Sequence, residues 1–258
     1  MNGAWTPTLL AAALLVSLGA GVVRGYAGFG YSALTVAGMS LFVAPSPVVP
    51  AVLTLELVAS LSVWRSALRD ADPAWTRWLL GGNLVFVPAG AALLAFLPPV
   101  PLRVVVGAVL LIAALVLRLT DGIRLTPGRP LYLTAGLVSG LLNGVAASGG
   151  VPAAMLMAAT RAPARQVRAT MVVFLFFTCA YALLWAALLS AQGGAMRMGL
   201  PTLQWLALLA PTMLAGLWIG QHAFSRGDAS GYLRKVLTLL IVISGLGLLR
   251  ALADLHAG

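Results

Sequence analysis

Three features of this chain could do chemistry inside an apolar environment. R-G-Y-A-G-F-G-Y-S at 24–32 places Arg24 and three glycines within an apolar run. N-G-V-A-A-S-G-G at 143–150 is a second small-residue interruption of an apolar run. Glu56, in P-A-V-L-T-L-E-L-V, is the only acidic residue well inside an apolar block. An arginine's planar guanidinium can hold two oxygens of one anion. Glycines admit a ligand close to the backbone, and a helix that begins there offers unpaired N–H groups with partial positive charge. These are the parts of an anion site. The candidate substrate contacts are Arg24, Gly25, Gly28, Phe29, Gly30, Tyr31 and Ser32 in the first stretch, and Asn143, Ser148, Gly149 and Gly150 in the second. Glu56 is either the ion-pair partner of Arg24 or a proton carrier, since a carboxyl in low dielectric titrates closer to neutral pH. The plainer alternatives are helix packing for the glycines and a structural ion pair for Arg24.

Other chemistries lack their residues. There is no glycine loop followed by lysine to cradle a nucleotide, no metal-ligand cluster and no convincing triad, so we expect no cofactor, no metal and no enzyme. A net charge of +10 raises nucleic acid as a partner. The basic residues fall in small clusters at the ends of apolar blocks, however, which marks topology and not a binding face. The lone Cys179 excludes an internal disulfide. No Lys or Arg precedes the first apolar core, so the N-terminal segment reads as a membrane element, not a cleaved signal.

The elements that must position these residues follow from hydropathy. The chain has 61% hydrophobic and 9% charged residues and a mean hydropathy of +1.00. About 25% charged residues is usual for a soluble domain, so this is an all-α polytopic membrane protein. Eight hydrophobic blocks fall at 8–43, 50–68, 75–97, 101–119, 131–160, 167–190, 202–224 and 232–253. Six have the length of a single crossing. Blocks 8–43 and 131–160 would make helices of about 54 and 45 Å, too long for one crossing of about 30 Å and too short for two. Each contains one of the small-residue interruptions, so each is expected to be a broken, re-entrant helical hairpin.

Loop charges support the same arrangement. With hairpins at both long blocks, Arg65, Arg69, Arg77, Arg118, Arg124, Arg129, Arg161, Arg165, Arg168, Arg226, Arg234 and Lys235 share the cytoplasmic side, twelve of sixteen basic residues. Both termini then lie outside. Each half is a hairpin plus three transmembrane helices, and the odd number makes the halves inverted: a first repeat over 1–122 and a second over 123–258. R-G-Y-A-G-F-G at 24–30 lies on N-G-V-A-A-S-G at 143–149, Ala44-Pro45 on Ala162-Pro163, and Pro88 corresponds to Pro211. Inverted repeats with broken helices recur in secondary transporters.

These residues resemble the sulfite exporter TauE/SafE family of anion permeases. G-A-G-V-V-R-G-Y-A-G-F-G with Pro45 is similar to the family's first glycine-rich motif. A-G-L-V-S-G-L-L-N-G-V-A-A-S-G-G-V-P followed by R-A-T at 168–170 is similar to its second. The usual triple glycine is reduced to G-F-G and S-G-G. The resemblance implies a permease for sulfite or an organosulfonate in a bacterial inner membrane. Glu56 admits protons as a coupling ion, and a homo-oligomer is compatible with the sequence. The residues alone also admit a permease for small carboxylates, an integral membrane enzyme or a structural membrane subunit.

Overall fold

The computed structural model describes residues 6–119, 124–191, 199–226 and 232–256. The expected junction of the halves at 122/123, both chain ends and Arg197 lie outside the described residues, as do the side chains of Arg226, Arg234 and Lys235. Among the described residues all regular structure is helical: α1 (Pro7–Ala27), α2 (Tyr31–Ser40), α3 (Pro45–Ser62), α4 (Trp64–Asp70), α5 (Pro73–Phe96), α6 (Pro99–Leu119), α7 (Arg129–Ala146), α8 (Gly150–Ala159), α9 (Ala164–Ala191), α10 (Leu200–Arg226) and α11 (Tyr232–His256). Of these, α1, α3, α5, α9 and α10 are long and apolar enough to cross a membrane.

Helix starts follow local chemistry. Thr6 caps α1, its hydroxyl accepting from the Leu9 N–H at 3.2 Å, and Pro7 fills the first helical position, where no N–H is needed. Asp72 caps α5 by accepting from the N–H groups of Ala74 and Trp75 at 2.8 and 3.0 Å. The block expected at 50–68 begins earlier, because Pro45 sits in the first turn of α3 and only Pro50 falls inside the helix. It also divides at Val63, whose φ of −123° and ψ of 15° interrupt the ladder between α3 and α4.

Both long blocks are broken, with unequal limbs. The first gives 21 residues in α1 and 10 in α2, the second 18 in α7 and 10 in α8. At about 1.5 Å per residue, α1 is about 31 Å long and α2 about 15 Å. The apolar run continues unbroken to Val23, so nothing stops the helix until the glycines.

Packing is closest along two helix pairs. Gly21 of α1 faces α10, where a Cβ would lie 2.6 Å from the Met213 carbonyl oxygen; Gly25, Gly216 and Gly220 lie in the same seam. Gly82 and Gly90 of α5 meet Gly136, Gly140 and Gly144 of α7, and a Cβ on Gly144 would lie 2.5 Å from the Val87 carbonyl oxygen. Small residues let these backbones touch, which is how helices associate where lipid removes the hydrophobic drive. α6 packs on α11, and α3 on α9. Exchanging α1 with α7 and α5 with α10 leaves this set of pairings unchanged. Pro88 and Pro211 lie inside α5 and α10.

Candidate functional site

The first break is built from left-handed backbone. Gly28 caps α1 at φ 83° and returns its N–H to the Arg24 carbonyl at 2.9 Å. Gly30 precedes α2 at φ 97°, a conformation open to glycine at little cost. The second break repeats the cap of the first but not its second left-handed residue, since Gly149, aligned with Gly30, sits at φ −59°. Ala147 ends α7 at φ 51° and returns its N–H to the Asn143 carbonyl at 2.9 Å. Ala27 and Ala146, aligned in the repeat, are the last helical residues of their limbs. Ala147 holds with a side chain the conformation that Gly28 holds without one, at a cost of about 1–2 kcal/mol.

The two breaks touch. A Cβ built on Gly150 would lie 3.2 Å from the Phe29 Cβ and 3.1 Å from Leu175 Cδ2 of α9. Phe29 is buried between the tips, and Gly149 is pressed against α7, where a Cβ would meet the Ser139 carbonyl oxygen at 2.5 Å.

Arg24 is 1% exposed and Glu56 is fully buried. The guanidinium Nε donates to Glu56 Oε2 at 2.6 Å, Nη2 donates to Ser60 Oγ at 2.8 Å, and Nη1 donates to the Gly28 carbonyl. The other carboxylate oxygen accepts from the Ser32 backbone N–H at 3.2 Å and from its hydroxyl at 3.0 Å. The second helical residue of α2 thus points its N–H at a carboxylate. Helix dipole, hydroxyl and guanidinium converge on one anionic group, and that group is supplied by the protein.

The second tip is neutral. Asn143 Nδ2 donates to the Thr178 carbonyl at 3.3 Å and to Thr178 Oγ1 at 3.1 Å, while Thr178 Oγ1 donates to Asn83 Oδ1 at 2.5 Å. Asn143 Oδ1, Asn83 Nδ2 and Ser139 Oγ are buried without a hydrogen-bond partner. In the register of Ala44-Pro45 on Ala162-Pro163, Ser60 corresponds to Thr178 and Glu56 to Phe174. The halves therefore share a side-chain pair, Arg24–Ser60 and Asn143–Thr178, but only the first carries charge.

Several candidate residues do other work here. Gly25 faces α10, and its carbonyl accepts from Arg168 Nη2 at 2.9 Å. The Tyr31 hydroxyl meets Ser17 Oγ of α1 at 3.1 Å, and Ser17 donates to the Leu209 carbonyl of α10 at 3.0 Å. Ser148 donates back to the Leu142 carbonyl at 3.3 Å, closing α7. Sequence reasoning did not single out Ser60 or Thr178, and it took Arg168 only as a loop charge and as the start of R-A-T. Ser60 carried a usable signal, since it lies four residues after Glu56 and shares its helix face.

Two touching helix breaks, a buried ion pair and several helices of spanning length define a multi-pass helical membrane protein. The chain belongs to the sulfite exporter TauE/SafE family, a transporter family: the family model matches residues 13–248, which take in both breaks and Glu56. No match was found among curated proteins or among solved structures.

Proposed function

We propose that this protein is a secondary permease of a bacterial inner membrane that moves a small sulfur-containing anion, sulfite or an organosulfonate, by alternating access. The observation that carries the reading is the seat of Glu56. Its two oxygens engage Arg24 and the α2 N-terminus as the oxygens of a sulfite or sulfonate would. Protonation of Glu56 releases both sets of donors to the substrate, and substrate departure returns them to the carboxylate. This couples a proton to the anion.

The inverted-repeat reading is supported by the pairing of α1 with α10 and of α5 with α7, and by the matching caps at Gly28 and Ala147. Leu175, which touches the second tip, stands about 16 Å along an α9 of about 42 Å. A site close to the bilayer midplane fits that depth. A permease for small carboxylates is the second reading, favoured by the fact that the resident group is itself a carboxylate.

Purified protein in proteoliposomes decides between them through flux of sulfite, a taurine-like sulfonate and acetate, each with and without a pH gradient. Sulfite or sulfonate flux that rises with the gradient is expected. Acetate flux alone supports the second reading, and no flux of any anion refutes both. Arg24→Lys keeps the charge but loses the planar fork, so it should slow flux by at least about tenfold, the equivalent of one charge-assisted hydrogen bond.

A further inference from the structure

A cavity of about 320 Å³ lies where α4, α9 and α10 meet, lined by Val63, Ser66, Asp70, Arg165, Arg168 and Phe224 among others. Arg165, 78% exposed at the rim, donates to Asp70 at 2.8 Å, so their charges offset each other. Arg168 is left as the positive charge of the cavity. Its Nη2 donates to the Gly25 carbonyl at 2.9 Å, and its guanidinium carbon lies 4.5 Å from the centre of the Phe224 ring. Its Nε is buried and has no hydrogen-bond partner. That atom has no exposure to the cavity, so an anion there would meet the positive charge of the Arg168 guanidinium and not this N–H.

The same side chain reaches the first helix break. A Cβ on Gly28 would lie 2.6 Å from Arg168 Cγ, and the Gly28 carbonyl is the one held by Arg24. One wall of the cavity is thus a wall of the tip. Val63, Ala67, Val172 and Phe224 give the cavity an apolar wall, while Ser66 and the Asp70–Arg165 pair lie on its α4 and rim side. The volume exceeds what a bare sulfite fills and falls in the range of small organic ligand sites.

We propose that this cavity is a second anion site, a vestibule on the side of the basic loops, that takes an organosulfonate with its headgroup on Arg168 and its short carbon chain against Phe224. As a station on the way to Arg24 it rests on the permease reading; as a binding site it does not.

The test is thiol labelling of S66C in a Cys179→Ala background, with a sulfonate-bearing methanethiosulfonate reagent and its trimethylammonium counterpart. L68C, on the exposed face of α4, is the control. The anionic-to-cationic rate ratio should be about fivefold higher in S66C than in L68C, the effect of one nearby partly screened charge. Arg168→Gln should bring it to the control value and Arg168→Lys should retain it, and 1-propanesulfonate should slow S66C labelling more than sulfate does. Equal ratios in S66C and L68C, a ratio unmoved by Arg168→Gln, or no protection by 1-propanesulfonate would overturn the site. Equal protection by sulfate would overturn the role of the apolar wall. Should Arg168→Gln fail to fold, the protection measurement decides alone. A vestibule that labels as expected in a protein without flux refutes the permease reading only. Flux without the labelling preference refutes the vestibule only.

Discussion

The Arg24–Glu56 pair makes opposite demands on stability when broken and when replaced. Glu56→Ala leaves the buried guanidinium without its counter-ion and strips the Ser32 N–H and hydroxyl of their acceptor. Removing one partner of a buried pair costs about 3–5 kcal/mol. Arg24→Ala should cost less at neutral pH, because an orphaned carboxyl can take up a proton whereas a guanidinium cannot release one. Replacing both residues with Met removes both charges and keeps much of the volume. Such replacements are often neutral or stabilising, so the double variant should recover most of the loss. At roughly 2–4 °C per kcal/mol for a chain of this size, Glu56→Ala should lower the unfolding midpoint by roughly 6–20 °C.

Cys179 provides the assay. It is the only cysteine and is fully buried, so a thiol-reactive dye reports its exposure as the detergent-solubilised protein unfolds. Flux is then measured on the same variants. If the pair forms the anion site, the double variant is stable and does not transport. A double variant that is stable and transports like the parent would refute the functional assignment. A double variant as unstable as the sum of the singles would refute the energetics.

Further outcomes follow from the packing and the breaks. Gly220→Ala should destabilise strongly, since its Cβ would collide with the Val22 carbonyl, whereas Gly19→Ala, with no neighbour within 4 Å, should be neutral or stabilise by up to about 1 kcal/mol; dye-detected midpoints compare them. Gly28→Ala should be costly on two counts, positive φ and contact with Arg168, while Ala147→Gly should stabilise by about 1 kcal/mol by relieving the same backbone conformation. Both are read by the same unfolding assay, and a stabilising Gly28→Ala would contradict the description of the first tip. For topology, S46C and A164C in a Cys179-free background should react with an impermeant thiol reagent from opposite sides of the membrane. Labelling from one side would refute the inverted arrangement.

The breaks were legible in the sequence, and the identity of what fills the first one was not. Gly28 and Gly30 stop α1 for a reason glycine announces, and laying 24–30 on 143–149 carried the position to the second half, where Ala147 by itself announces nothing. The unequal limbs were hidden because hydropathy does not change at the cap: α1 runs as apolar as a full crossing until its last turn. The division at Val63 was hidden for a similar reason, as a β-branched residue in an apolar block gives no sign of a helix end. Arg168 was counted among the loop charges that set topology, and an arginine one turn into a helix reads the same whether it meets headgroups or a helix tip. The repeat had a double effect. It located both tips, and it also set Asn143 beside Arg24 as a further contact for the same ligand. The structure gives Arg24 a carboxylate and Asn143 a threonine, because Glu56 has Phe174 as its counterpart. An anion drawn to the touching tips would therefore find the charged pair at the first tip and a neutral amide at the second. Loss of transport should accordingly be far steeper for changes at Arg24 than for Asn143→Ala.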